Sequence, residues 1–158
     1  MYTLADIVSR ECEELDIRGV SHRGYFATIT DFPSYYNANI SLIDFKSART
    51  LFADEWPIYT RTNDSCPTQY FDTAEVKNSV VSNGCMIEGT IENSIIGRGC
   101  VIKKGAVVRN SIILPGAVVG EDVHAENLVV DKHAKLIHVK EVVAETGHPG
   151  YVKRGDVL

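Results

Sequence analysis

No apolar run in this chain approaches the roughly 18 to 20 residues that a membrane-spanning helix needs, and no basic stretch followed by an apolar core marks its start, so neither a span nor a signal peptide is expected. Positive charge is scarce: 16 Lys and Arg stand against 21 Asp and Glu, a net charge of -5. That balance repels a nucleic-acid backbone or an anionic membrane, and neither is expected as a partner. The four cysteines, Cys12, Cys66, Cys85 and Cys100, form no Cys-x-x-Cys pair and have no histidine-rich neighbour at zinc spacing. Reduced thiols in the cytoplasm are the expectation. No phosphate-cradling glycine loop of the Walker or dinucleotide kind is present, and Gly97-x-Gly99 reads as a chain corner.

What is present is a repeat. Asn-Ser-Val-Val at Asn78 returns as Asn-Ser-Ile-Ile at Asn93 and at Asn110, and as Asn-Leu-Val-Val at Asn127, with spacings of 15, 17 and 17. Within it an aliphatic or small residue recurs about every six positions: Val76, Val81, Ile87, Ile91, Ile96, Ile102, Val108, Ile113, Val119, Ala125, Val130 and Leu136. A second row of small residues follows most of these, at Cys85, Cys100, Ala106, Ala117, Val123 and Ala134. A period of six fits neither a helix nor an alternating strand. It fits a solenoid of three short strands per coil, one side chain of each pointing inward. The fold class expected is mainly β, a parallel β-helix of the hexapeptide type preceded by a small α+β segment.

The expected organisation is a front segment over 1–52, a linker over 53–70, the β-helix over 71–140 and a capping tail over 141–158. The front begins with a helix over residues 3 to 15, capped by Thr3 and apolar at Leu4, Ile7, Val8, Cys12 and Leu15. Strands are predicted at Asp16 to Ser21 and Tyr25 to Ile29, and a second helix starts at Asp31. A short helical patch spans Ser47 to Phe52, and Thr60 to Thr68 reads as a loop. The helix and strands of the front would normally pack on a sheet that this chain lacks, so exposed apolar surface is expected there, covered by a second copy or left uncovered.

Two sets of side chains invite a chemical role. Cys85 and Cys100 hold matching places in successive coils and read as a buried ladder of small side chains. His124, His133, His138 and His148 lie at or beyond the end of the repeats, where a hexapeptide acyltransferase carries its base, but nothing in the sequence singles one out.

Three motifs in order, Tyr35-Tyr36-Asn37-Ala38-Asn39-Ile40-Ser41-Leu42, then Trp56-Pro57-Ile58-Tyr59-Thr60, then Ser79-Val80-Val81-Ser82-Asn83-Gly84-Cys85-Met86-Ile87-Glu88-Gly89, resemble the C-terminal part of the glucose-1-phosphate adenylyltransferases, the ADP-glucose pyrophosphorylases of bacterial glycogen synthesis. The resemblance runs from about Ile17 onward and implies that the coil is left-handed and that the front is the end of a nucleotidyltransferase domain. It also implies what is missing. The nucleotide-binding loop has no counterpart here, and Thr28 stands where catalytic members carry a magnesium-binding aspartate. A hydroxyl is a poor substitute for a carboxylate at a hard cation. Magnesium is therefore expected only in a catalytic partner, and no cofactor in this chain.

The substitution at Thr28 is similar to the non-catalytic, D-type subunits of the family. By the resemblance, Lys132 in Val130-Asp131-Lys132-His133-Ala134 takes the place of a basic residue that reaches the phosphates of a sugar-phosphate or phosphoglycerate effector. The function expected is a regulatory or structural module, without adenylyl transfer by itself, whose partners are a catalytic subunit, further copies of the chain and a phosphorylated effector. The alternatives are a trimeric hexapeptide acyltransferase and an inert self-associating fragment.

Overall fold

The computed structural model describes residues 3–54, 57–60, 62 and 64–158, so Trp56 of the second motif lies outside the described residues. The front segment is helical. Helix α1 (Leu4–Glu11) is closed by a reciprocal cap in which the Thr3 hydroxyl accepts from the Asp6 N–H and the Asp6 carboxylate accepts from the Thr3 N–H. Helix α2 (Phe32–Ser41) repeats the device with Asp31 and Ser34 and carries Pro33 in its first turn. The N–H of Ser34 and its hydroxyl hold the Asp31 carboxyl below the usual carboxylate range. Helix α3 (Phe45–Leu51) is capped by Asp44.

The chain then winds in tiers of three strands. The first tier holds β1 (Gln69–Tyr70), β2 (Glu75–Lys77) and β3 (Val80–Val81), and the second β4 (Met86–Ile87), β5 (Thr90–Glu92) and β6 (Ile95–Ile96). The third holds β7 (Val101–Ile102), β8 (Val107–Arg109) and β9 (Ile112–Ile113), and the fourth β10 (Val118–Val119), β11 (His124–Glu126) and β12 (Leu128–Val130). The fifth holds β13 (Lys135–Leu136), β14 (Glu141–Val143) and β15 (Gly150–Val152). Like strands stack in parallel register into three five-stranded sheets, β1-β4-β7-β10-β13, β2-β5-β8-β11-β14 and β3-β6-β9-β12-β15. The fold is a parallel β-solenoid of about four turns.

The period of six maps directly onto this prism. From Ile87 to Leu136 every expected inward residue of both rows is buried. Val76 and Val81 are less covered, 37% exposed and half-buried, because the first tier has a neighbour on one side only. The Asn-Ser phrase explains the corner between the second and third sheets. Asn78, Asn93, Asn110 and Asn127 adopt φ of 42°, 48°, 44° and 57°, a left-handed turn that asparagine tolerates better than other residues with a Cβ. Their amides form a ladder, Asn78 Nδ2 donating to Asn93 Oδ1 at 3.1 Å and Asn93 Nδ2 to Asn110 Oδ1 at 2.7 Å. Beside it the Ser94 hydroxyl donates to Glu92 O and accepts from the Ser111 N–H, so the buried serines stitch one tier to the next. Replacing Asn93 by Ala therefore removes both amide bonds and strains the turn. A loss of about 1–2 kcal/mol in denaturant unfolding is expected, with Asn93→Gly milder because glycine keeps the backbone free.

Three expectations need correction. No strand forms over Asp16 to Ser21 or Tyr25 to Ile29, although the residue types favour one, because a strand needs a neighbouring edge and none lies beside them; the front is helical rather than α+β. Helix α1 stops at Glu11, with no buried residue to hold a further turn. The repeat does not end at 140. Strands β14 and β15 pair with β11 and β12, and Lys135 bridges to Val157, so the tail adds a tier before it closes the end.

The front is fastened to the solenoid through α2. Ile112 and Val129 belong to the outward face of the third sheet, yet each is only 1% exposed, and α2 packs against β9, the strand of Ile112. The Tyr36 hydroxyl donates to Asn110 O, and the Phe32 ring meets Tyr151 edge to face with centroids 5.7 Å apart. Elsewhere the front exposes apolar side chains, among them Val20 at 92% and Phe26 at 80%.

Candidate functional site

Side chains at the corners of a solenoid stack in rows, because each corner residue sits one tier above its counterpart. At the corner leading from the third sheet to the first, Gly99 N donates to Asn83 O, Gly116 N to Arg98 O, His133 N to Pro115 O and Gly155 N to Lys132 O. These bonds place Asn83, Arg98, Pro115, Lys132 and Arg154 in one row. The next row, Gly84, Gly99, Gly116, His133 and Gly155, turns with φ between 62° and 78°. Gly116 must remain glycine for a second reason: a Cβ there would come within 2.5 Å of Nδ1 of the His133 ring folded over it.

Neighbouring tiers are about 4.8 Å apart, so Lys132 lies next to Arg154 and roughly 10 Å from Arg98. Lys132 is exposed and belongs to none of the described ion pairs. Between it and Arg154 sits Asp131, whose carboxylate accepts from the Tyr151 hydroxyl at 2.7 Å and from the Lys132 N–H at 2.6 Å. Those two bonds, with the charges of Lys132 and Arg154 beside them, hold the Asp131 carboxyl below the usual range. A groove of about 650 Å³ runs along the corner, lined by Arg98, His133, Thr62, Ser65, Cys66 and the glycine row. The row carries Lys132 and Arg154 exposed on adjacent tiers and Arg98 at the groove, a basic surface suited to an anionic group.

The sequence reading reached Lys132 and missed Arg98 and Arg154. Arg98 could have been found, since it precedes Gly99 as Lys132 precedes His133, but Arg154 is displaced by an irregular last tier. Val129 and Tyr151 pair across 22 positions, where Ile112 and Val129 pair across 17. Thr28 lies in the front, on an exposed stretch, and does not line the groove along this corner. Among the described residues no group of three or more His, Cys, Asp or Glu side chains is arranged to hold a metal, and a lone exposed hydroxyl does not fit magnesium.

The four histidines are not brought together. His124 pairs with Glu126 at 3.1 Å and Glu141 at 3.6 Å, His133 covers Gly116, and His138 and His148 are exposed. Cys85 and Cys100 are in-register neighbours inside the prism. The Cys85 thiol donates to Gly97 O at 3.0 Å and the Cys100 thiol to Leu114 O at 3.2 Å, and the neighbouring Cys85 sulfur together with burial keeps Cys100 protonated. Both are sealed from solvent and act as core side chains.

The family described as GlmU-like, C-terminal hexapeptide, matches residues 67–147, just over half of the chain and almost all of the solenoid. The chain belongs to this family. Its relatives extend the likeness to the front. It is 33% identical over 97% of its length to the glycogen biosynthesis protein GlgD of Bacillus subtilis (strain 168), covering 45% of that protein. It is 35% identical over 68% of its length to a glucose-1-phosphate adenylyltransferase of Fervidobacterium nodosum and 32% identical over the same share to one of Bacillus anthracis, covering 26% and 28% of those proteins. The chain thus spans less than half the length of these relatives, and its likeness is to the C-terminal region of the adenylyltransferases. Among the described residues no helix is long and apolar enough to cross a membrane.

Proposed function

We propose that this chain is the regulatory and structural module of a glucose-1-phosphate adenylyltransferase assembly in glycogen synthesis, performing no adenylyl transfer itself. The observation that carries the reading is the likeness over 97% of the chain to a protein named for glycogen biosynthesis. The row of Arg98, Lys132 and Arg154 supports an effector role, since a phosphorylated ligand at the corner would meet Lys132 and Arg154 on adjacent tiers, with Arg98 two tiers further along. Subunit contacts are supported by the apolar side chains that the front leaves exposed and by the first tier, where β1, β2 and β3 each have a strand neighbour on one side only among the described residues.

The test is ADP-glucose formation from ATP and glucose 1-phosphate by a catalytic subunit of this family, with and without this chain, the chain alone serving as blank. Addition is expected to change the rate or its response to phosphorylated effectors. Lys132→Glu is expected to raise the effector concentration for half-response about tenfold, a change of about 1.4 kcal/mol. A chain that neither binds the catalytic subunit nor alters its rate overturns the reading.

A further inference from the structure

The last tier departs from the others in one place. From Asn93 to Asn127 the asparagine corner recurs every 17 positions, and the next such position is Ala144, whose N–H takes the Glu126 carbonyl as Asn127 N takes that of Arg109. Here the chain does not turn straight into the third sheet. It makes a loop over 144–149, five residues longer than the register requires. A solenoid stacks without such an insertion, and insertions of this kind form binding surfaces on one face of a repeat array.

The loop walls a pocket of about 350 Å³ against α2, at the low end of the size range of small-molecule sites. Tyr36 and Asn37 line it from the helix, Asn110 and Asn127 from the corner, and Glu145 and Thr146 from the loop. The amide ladder breaks at this point. Asn127 donates to Ala144 O at 2.8 Å, while Asn110, which accepts from Asn93, has no acceptor for its own N–H among the described hydrogen bonds. Asn127 Oδ1 likewise has no described donor. Neither atom is sealed from solvent, because no buried side-chain nitrogen or oxygen among the described residues lacks a partner.

The pocket therefore opens onto one amide donor and one amide acceptor, the arrangement that a pair of adjacent hydroxyls satisfies, each hydroxyl both giving and taking a bond. Whichever way an amide is turned, it offers one of each. No basic side chain lines the pocket and Glu145 adds a carboxylate, which disfavours phosphate and provides a further acceptor for hydroxyls. We propose that the pocket between α2 and the 144–149 loop binds a neutral saccharide unit through Asn110, Asn127 and Glu145, at a site separate from the basic corner row.

The experiment is saturation-transfer NMR on the whole chain titrated with glucose and with maltose, inorganic phosphate serving as the control. The comparison variant is Asn37→Ala with Glu145→Ala, two exposed side chains without described hydrogen bonds, so its melting temperature should match the parent. A saturable sugar signal is expected up to about 10 mM, weakened at least about tenfold in the double variant and unchanged in Lys132→Glu. The absence of saturation by either sugar, equal binding by the double variant, or phosphate binding in the same pocket overturns the proposal. Because the readout needs no catalytic subunit, it fails or succeeds independently of the regulatory reading.

Discussion

Ile102→Asp unfolds the solenoid. The side chain lies fully buried at the centre of the first sheet, stacked between Ile87 of the second tier and Val119 of the fourth. An aspartate there would leave a carboxylate in the prism with no described cation to meet it. Burying an unpaired charge costs far more than the group returns, so the residue must either protonate or open the tier. Loss of the isoleucine packing adds about 2–5 kcal/mol, as for truncations of large core side chains. Against a total stability of about 5–15 kcal/mol for a domain, the two together exceed what a single tier can absorb. Circular dichroism at 25 °C should show the β signal gone, whereas Ile102→Val should melt cooperatively after a loss of about 0.5–1.5 kcal/mol. A cooperative, parent-like melt of Ile102→Asp would show that the inward face is wrongly assigned.

The same substitution ten residues on has a different outcome. Ile112 is as buried as Ile102 but points away from the prism, and its cover is α2 rather than the opposite sheets. Ile112→Asp leaves the solenoid folded, because its carboxylate reaches water once the helix lifts. What is lost is the attachment of the front, held otherwise by Tyr36 on Asn110 and by Phe32 on Tyr151. Limited proteolysis should cleave within residues 3–54 at least about tenfold faster than in the parent, in proportion to the open population. The solenoid fragment should still melt as a unit. Global unfolding of the variant, or unchanged protease resistance of the front, would contradict this division of the molecule into a self-standing coil and a docked front.

The pair also shows where sequence reading stops. In Asn-Ser-Ile-Ile the second isoleucine, Ile96 or Ile113, has a period and could be placed inside from its spacing. The first, Ile95 or Ile112, has the same period and reads as an exposed aliphatic residue. The burial of Ile112 depends on a helix more than seventy residues earlier, and no local pattern records that contact. The strands expected over Asp16 to Ser21 and Tyr25 to Ile29 failed for the converse reason. Their composition was right, but β structure is completed by an edge elsewhere, and the chain places none beside them. In the candidate site, Lys132 was reached through a resemblance, while its place in one row with Arg98 and Arg154 emerged from register.

The sequence alone determined the three-sided prism, its inward rows and its corners, because in a solenoid each side chain packs against its counterpart one coil away, and the period carries that contact in linear form. It also determined the capped starts of α1 and α2, since a cap is a bond across three residues. Only the tertiary structure decided that α2 covers the third sheet, that the tail supplies a fifth tier, and that the five-residue insertion at 144–149 closes a pocket with Tyr36 and the end of the asparagine ladder. Those features join stretches with no common period. Their energy comes from surfaces that meet only after the coil has formed.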